Sequence, residues 1–393
     1  MSWSNVALSS LVNIKGGGTP SKAKSEYWNG SIPWVSVKDF KSTDLNGASD
    51  YITQEGIDNS ATSLIPCGNL IVPTRMALGK VAVNSVDIAI NQDLKALIIK
   101  DESMVDIEYL FRCIQSKSEE IIRQGKGATV KGITVDVLKN LQIPLPPLET
   151  QKQIAAVLEK ADQLRKDCQQ MERELNGLAQ SVFIDMFGDP VTNPKGWETE
   201  SLDTIAKVQI GPFGSQLHKE DYIADGIPLI NPTHIVKGQI VPDMNLTLTP
   251  EKFETLPNYH LETGDIIMGR RGEMGRTALI DEYSQGWFCG TGSLYIRITS
   301  QLVQPAFLNS VMSCSSMKTW LEEQSLGATM PNLNKKILHS IQVPIPTTAV
   351  QKNYALALDV LCKQRQEQKE HIKELDGLFN ALMQKAFKGE LDL

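Results

Sequence analysis

The sequence predicts an α+β chain: two similar α/β globular domains joined by two long helices, which form an antiparallel coiled coil. Three observations carry this. The first is an internal repeat, since Ile143-Pro144-Leu145-Pro146 returns as Val343-Pro344-Ile345-Pro346. The same offset of 200 residues pairs Gln151-Lys152 with Gln351-Lys352, Leu175, Gly177 and Leu178 with Leu375, Gly377 and Leu378, and Phe187 with Phe387. The second is a proline-free stretch in each copy whose apolar residues step alternately by three and four, the pattern of a helical seam. The third is what lies before each stretch: short β-rich runs separated by Gly, Asn and Asp, followed by one helical run. A repeat this long is far beyond a solenoid unit and reads as duplication of a domain with its appendage.

Taken in order, residues 1–148 form the first domain. Residues 32–37, 68–73, 81–83 and 97–99 are strand-like, and 107–124 carry Leu110, Phe111, Ile114 and Ile121 at helical spacing. Residues 149–187 form a central spacer helix with a seam of Ile154, Val157, Ala161, Leu164, Cys168, Met171, Leu175, Leu178 and Val182. Pro144, Pro146 and Pro147 bar its extension backward, and Gly188-Asp189-Pro190 ends it. Residues 188–348 repeat the domain, with strands at 266–268 and 294–296 and a helical run at 305–325. Residues 349–393 hold the C-terminal spacer helix, whose seam runs Tyr354, Leu358, Leu361, Arg365, Gln368, Ile372, Leu375, Phe379, Leu382 and Ala386. A helix of this length measures about 58 Å and outruns a domain of about 15 Å radius of gyration. Its apolar stripe therefore needs the other helix.

Composition excludes several classes. The chain has 393 residues, 41% hydrophobic and 22% charged, which is globular and not disordered or collagenous. No run approaches the ~18 apolar residues of a membrane span, and the N-terminus lacks a signal-peptide pattern. Six dispersed cysteines without a Cys-x-x-Cys pair, and five dispersed histidines, argue against a zinc site and fit the cytoplasm. Phosphate-loop, dinucleotide and methyltransferase signatures are missing. Gly16-Gly17-Gly18 runs into Thr19-Pro20, and Asp93-Leu94-Lys95 is too short a match to mark a nuclease. The chain thus reads as a binding protein, with a self-contained nuclease or methyltransferase of unrecognised motifs as the alternative. No catalytic, cofactor-binding or metal-ligating residue is assigned.

A net charge of −7 speaks weakly against nucleic acid. Local basic loops speak for it. At an offset of 196, Gly68, Arg75, Gly79 and Ala82 match Gly264, Arg271, Gly275 and Ala278, and Lys80 matches Arg276. Glycine admits close backbone approach, and arginine offers a fork for phosphates or guanine edges. Arg75, Lys80, Arg270, Arg271 and Arg276 are therefore candidate DNA contacts. Lys126, Lys131 and Lys335, near the repeated Gly127-Ala128-Thr129 and Gly327-Ala328-Thr329 loops, are weaker ones.

The whole arrangement resembles the specificity subunit of type I restriction-modification systems. The marks are the stretch from Ile143 through Pro147-Leu148-Glu149-Thr150-Gln151-Lys152 to Ile154, then Phe187-Gly188-Asp189-Pro190, then Asn193-Pro194-Lys195-Gly196-Trp197. The second copy departs from this at Thr347-Thr348-Ala349-Val350, which puts its helix start in doubt. The resemblance implies two target recognition domains, each reading half of an asymmetric split site on double-stranded DNA. It implies helices that fix the spacing, with half-site centres about 10 to 15 base pairs apart for a rod of that length. It also implies two docked methyltransferase subunits, and restriction and translocase subunits joined through the complex. S-adenosylmethionine, ATP and Mg then belong to the partner subunits and not to this chain. Residues repeated in register suit two identical partners, so Gln151, Leu158, Leu175 and Leu178, with Gln351, Leu358, Leu375 and Leu378, are the expected methyltransferase dock.

Overall fold

The structure, a computed structural model, describes residues 3–127, 129–272, 274–325 and 332–391. The chain divides into two compact units, one of residues 1–169 with 370–393 and the other of residues 170–369. Each unit therefore contains one sheet domain and pieces of both long helices.

In the first unit a five-stranded sheet runs in the order Val12–Gly16, Leu94–Ile99, Leu70–Pro73, Ala82–Asn84, Asp44–Leu45. Its central strand Leu70–Pro73 is buried along its whole length, as an uninterrupted apolar run should be. A smaller four-stranded sheet includes Trp28–Val35 and Ile88–Ile90, paired in parallel. Helix α1 (Ile107–Ser116), capped by the Asp106 carboxylate on the Tyr109 amide, packs on the larger sheet. The helical run read as 107–124 breaks at Lys117 into α1 and a short Ser118–Arg123 helix.

The second unit repeats this with one strand fewer in its main sheet. Its four-stranded sheet runs Ala206–Ile210, Ser293–Ile298, Ile266–Gly269, Thr277–Leu279. Leu229–Ile230 pairs in parallel with Phe288–Cys289, the counterpart of the parallel pair in the first unit. Between the two spacer helices comes α3 (Pro305–Ser313), the counterpart of α1.

The spacer helices are α2 (Leu148–Phe187, 40 residues) and α4 (Thr348–Lys388, 41 residues). In the first unit, Phe379, Met383 and Ala386 of α4 join the core around Leu158 of α2. In the second, Phe183 and Phe187 of α2 join Tyr354 of α4. Early residues of each helix thus meet late residues of the other, so the pair is antiparallel. All ten α4 seam positions are buried or half-buried. Only five of the nine α2 seam positions are: Val157, Leu164, Met171 and Leu178 stand exposed at steps of seven. The inward positions of α2 are instead those in register with α4, including Arg165 and Glu172. Apolar character chose the wrong half of the seam, and the repeat register was the better guide.

The helix starts explain the repeated glutamines. Gln151 is fully buried; its Nε2 donates to the Met104 and Pro146 carbonyls at 3.0 and 2.9 Å, and its Oε1 accepts from the Asp106 amide at 2.9 Å. Gln351 does the same with Leu302 O, Pro346 O and the Gln304 amide, each at 2.8 Å. The Thr347-Thr348-Ala349-Val350 departure therefore leaves the helix start unchanged. At the far end of α2, Gly188 adopts φ 79°, Lys195 donates to the Asp185 and Met186 carbonyls, and Trp197 Nε1 donates to Phe187 O at 3.0 Å. The Asn193–Trp197 motif is thus a helix cap.

One ionic cluster has no counterpart in the second unit among the described residues. Arg112 of α1 reaches Asp162 at 3.1 Å, with both side chains at or below 10% exposure. Arg165 and Lys166 also bond Asp162, at 3.0 and 3.1 Å. Burial works to raise the Asp162 pKa, but hydrogen bonds from Lys166 and Arg112 and their positive charges outweigh it and hold the carboxyl below its usual range.

Two outcomes follow. Gln151→Ala removes the side-chain partner of three backbone groups, one of them in a buried bond, and should destabilise the first unit by about 1–3 kcal/mol in urea unfolding, with Gln351→Ala doing the same in the second. A carboxylate of lowered pKa contributes its full stability above the unfolded value of about 3.9 and loses it as pH falls through the folded value. Asp162→Asn should therefore lower the urea midpoint of the first unit at pH 7, and the gap to the native chain should narrow as pH falls below about 4.

Candidate nucleic-acid interface

The strand register gathers the candidate loops at one end of each sheet. In the first unit Lys95 pairs with Gly16, and Leu94 pairs with Pro73, so the segments after Gly16 and Pro73 leave the sheet at the same end. In the second, Ile210 pairs with Leu294 and Gly269 with Ser293, which places the loops after Ile210 and Gly269 together.

The hairpin loop after each of these strands takes the same shape in both units. Met76 and Gly272 both adopt positive φ, 64° and 72°, and Gly79 and Gly275 follow at 80° and 76°. Leu78 and Met274 point inward between them. A Cβ on Gly79 would lie 2.3 Å from the Ser118 hydroxyl, so glycine is required where the loop crosses the short helix. The loop base is stapled to the next long loop: Ile133 N donates to Thr74 O at 2.9 Å, and Leu333 N donates to Arg270 O at 3.1 Å.

This frame sorts the predicted residues. Arg75 and Arg271 are exposed at the loop apex. Arg75 sits 3.8 Å from Asp93 with its side chain still 59% exposed. Gly132 bridges both Arg75 and Lys126, which brings Arg75, Lys126 and the exposed Lys131 onto one surface. Lys80 Nζ donates to Phe40 O at 3.1 Å, and Arg276 Nη1 donates to Ile235 O at 3.3 Å. Their recurrence has a structural cause: each ties the loop to the same neighbouring turn. Lys335 is exposed at the first position of the Lys335–His339 helix. Gly327-Ala328-Thr329 and Ala128 lie outside the described residues.

Arg270 does not fit its expected role. It is only 4% exposed, its Nε donates to Thr291 O at 3.3 Å, and burial, then the neighbouring Arg271 charge, lower its pKa. Its counterpart is Thr74, also buried, so the pair fills the loop base and offers nothing to DNA. Sequence reading also missed two exposed apolar residues at these sheet ends, Met76 at 69% and Phe213 at 68%. Their signal was local: one follows the repeated arginine, and the other sits in Gly211-Pro212-Phe213-Gly214.

Arg271→Ala and Arg75→Ala should each weaken DNA binding of the assembled protein. The cost is about 1–3 kcal/mol with relaxed specificity at one position for a base contact, or a reduced salt slope for a phosphate contact. Arg270→Ala should instead lower the unfolding midpoint of the second unit. Titrations at several salt concentrations, paired with melting curves, separate these outcomes.

Among the described residues all six cysteines are free thiols, no group of His, Cys, Asp and Glu could hold a metal, and no helix is long and apolar enough to cross a membrane. The chain is similar to the MjaIX type I restriction enzyme specificity subunit of Methanocaldococcus jannaschii, at 25% identity over 99% of this chain and 93% of that one. It is also 40% identical to a type I restriction enzyme specificity subunit of Escherichia coli over 156 residues, 38% of each chain. The fold matches the S subunit of a type I restriction-modification system from M. genitalium, with a TM-score of 0.56 at 17% identity, covering 100% of this chain and 96% of that one. The family model for the type I restriction modification DNA specificity domain matches residues 1–175 and again 194–385. The repeat, the paired glutamine clamps and the twin arginine loops are thus the two copies of that domain, and the chain belongs to the type I restriction-modification DNA specificity family.

Proposed function

We propose that this chain is the non-catalytic DNA-specificity subunit of a cytoplasmic type I restriction-modification complex. Residues 1–148 and 188–348 are its target recognition domains, reading the two halves of an asymmetric bipartite site on double-stranded DNA. The observation that carries this is the twin loop: one backbone frame, built twice, with an exposed arginine at each apex and different residues around it. Equal frames place each reader alike, and unequal side chains read different bases. Expressing the complete system in a host and sequencing its methylome tests this directly. One asymmetric bipartite motif is expected, and exchange of residues 188–348 for those of a relative should change one half-site only.

Two methyltransferase subunits dock on the spacer helices, bringing S-adenosylmethionine, while restriction and translocase subunits bring ATP and Mg. Their basic surfaces offset the acidic charge of this chain. Burial supports a narrower choice of docking residues. Gln151, Gln351 and Leu158 are fully buried within their own units and have no surface to offer a partner. Leu178 and Leu378 are 42% and 54% exposed, Leu175, Leu375 and Leu358 are half-buried, and Val157, Leu164 and Met171 extend the exposed stripe on α2. Leu178→Asp with Leu378→Asp should leave the fold intact by circular dichroism and lower the number of methyltransferase subunits retained in size-exclusion chromatography.

Helix length sets the DNA spacer in this reading. Because each helix half packs on the far half of the other, the test lengthens both, with four residues inserted after Gln169 and four after Lys369. Each insertion adds about 6 Å and turns the seam by only about 40°. The preferred spacer should grow by one or two base pairs, with both half-sites unchanged.

A further inference from the structure

The two units solve one packing problem differently. The helices correspond at the offset of 200, fixed by Leu175-x-Gly177-Leu178 and Leu375-x-Gly377-Leu378. Helices α1 and α3 correspond at 198, because Gln151 and Gln351 accept from the amides of Asp106 and Gln304, the residues that precede them. In the first unit the space between α1, α2 and α4 is filled. Arg165 lies 2.7 Å from the Asp376 carboxylate and stacks 4.5 Å from the Phe379 ring. Arg112 and Phe111 close the rest around Asp162.

In the second unit the positions that match Asp376, Phe379, Phe111, Arg112 and Asp162 hold Asn176, Ala179, Asn309, Ser310 and Cys362. All five line a cavity of about 820 Å³, together with Arg365, the match of Arg165. All five exchanges remove a ring or a charge, and no larger group replaces what is lost. Arg365 therefore keeps its place without the carboxylate and ring that meet Arg165, shares the cavity with the Asp281 and Asp359 carboxylates, and makes no ion pair among the described residues. The buried Asn309 Oδ1 also lies without a hydrogen-bond donor. Two further lining residues are apolar and largely exposed, Val241 at 58% and Tyr283 at 80%.

We infer that this cavity receives a helical turn of a partner polypeptide carrying a carboxylate three residues before an aromatic ring, an Asp/Glu-x-x-Phe/Tyr/Trp turn. The carboxylate pairs with Arg365, and the ring covers the guanidinium. The first unit shows the chemistry, since Asp376 and Phe379 are such a turn supplied by the chain itself. A polypeptide fits better than a small aromatic acid, because the cavity is much larger than one ring and Val241 and Tyr283 add apolar surface to cover. Among the described residues the site occurs in the second unit and its counterpart in the first is filled, so it distinguishes the two halves of the chain. The inference does not rest on the methyltransferase reading, and methyltransferase assembly is no part of its test.

The test uses the full chain and a fluorescein-labelled helical peptide with one central Asp-x-x-Phe turn, read by anisotropy. Saturable binding is expected, weakened at least tenfold by Arg365→Gln and by replacing the peptide Phe with Ala. Asn176→Asp with Ala179→Phe should fill the cavity from within, raise the thermal midpoint and abolish peptide binding. Should that double variant fail to fold, Arg365→Gln carries the same decision. No binding to the native chain at about 1 mM peptide, the millimolar limit of a weak specific contact, overturns the inference. So does undiminished binding to Arg365→Gln or to a folded double variant. If 3-phenylpropionate binds as tightly as the peptide and displaces it, the occupant is a small aromatic acid and the polypeptide assignment falls.

Discussion

The first compact unit closes its core with a helix half that lies far away in sequence, and the second with the half that directly precedes its sheet domain. Phe379, Met383 and Ala386 complete the apolar cluster that contains Leu158 and Tyr109. Phe183 and Phe187 complete the one that contains Tyr354 and Phe307, with ring centroids 4.8 to 5.8 Å apart. Aromatic pairs at such distances add to the gain from burial alone. The first unit therefore cannot finish folding until the last residues of the chain have been made, and its decisive contacts span more than half the sequence. Closure over such separations is slow in general, because the entropy of bringing the ends together precedes the reward.

That closure also explains how the repeat is conserved in spacing. The offset between copies is 196 at the hairpin loops, 198 at the starts of α1 and α3, and 200 along the spacer helices. Surface loops absorb gained or lost residues with little cost. A helical seam cannot, because one residue turns every later side chain by about 100°. The glutamine clamps stand at the junction of these two regimes. Each one ties the sheet domain to the spacer helix through three hydrogen bonds to backbone groups, so a change of loop length need not reach the seam.

Periodicity made the architecture legible: spacings of three and four marked both helices, and prolines and glycines marked their ends. It misled at Val157, Leu164, Met171 and Leu178, because an apolar residue on a surface stripe looks like an apolar residue in a seam. It also misplaced Gln151 and Gln351, whose repetition reads as a shared surface until their hydrogen bonds are seen. Paired arginines posed a similar problem. Arg270 and Arg271 are neighbours at the end of a strand, where successive side chains alternate in direction, so one points in and the other out. The repeat held the answer, since the outer position recurs as Arg75 and the inner one is Thr74.

The same logic shows how duplication can yield two different readers. Gly79 and Gly275 fix the turn, while Lys80 and Arg276 tie it to Phe40 and Ile235. With the frame held by backbone conformation and by bonds to backbone carbonyls, the apex is free to vary. It does so at once: Met76 occupies, at φ 64°, the place that Gly272 takes at φ 72°. A side chain there is held against a conformational cost of about 1–3 kcal/mol, which the surrounding frame must outweigh. The first unit thus keeps a large exposed side chain beside its arginine, and the second leaves that space open. The turn and its ties recur while the exposed side chains beside the arginine differ, so under the proposed function one loop frame can carry two reading surfaces.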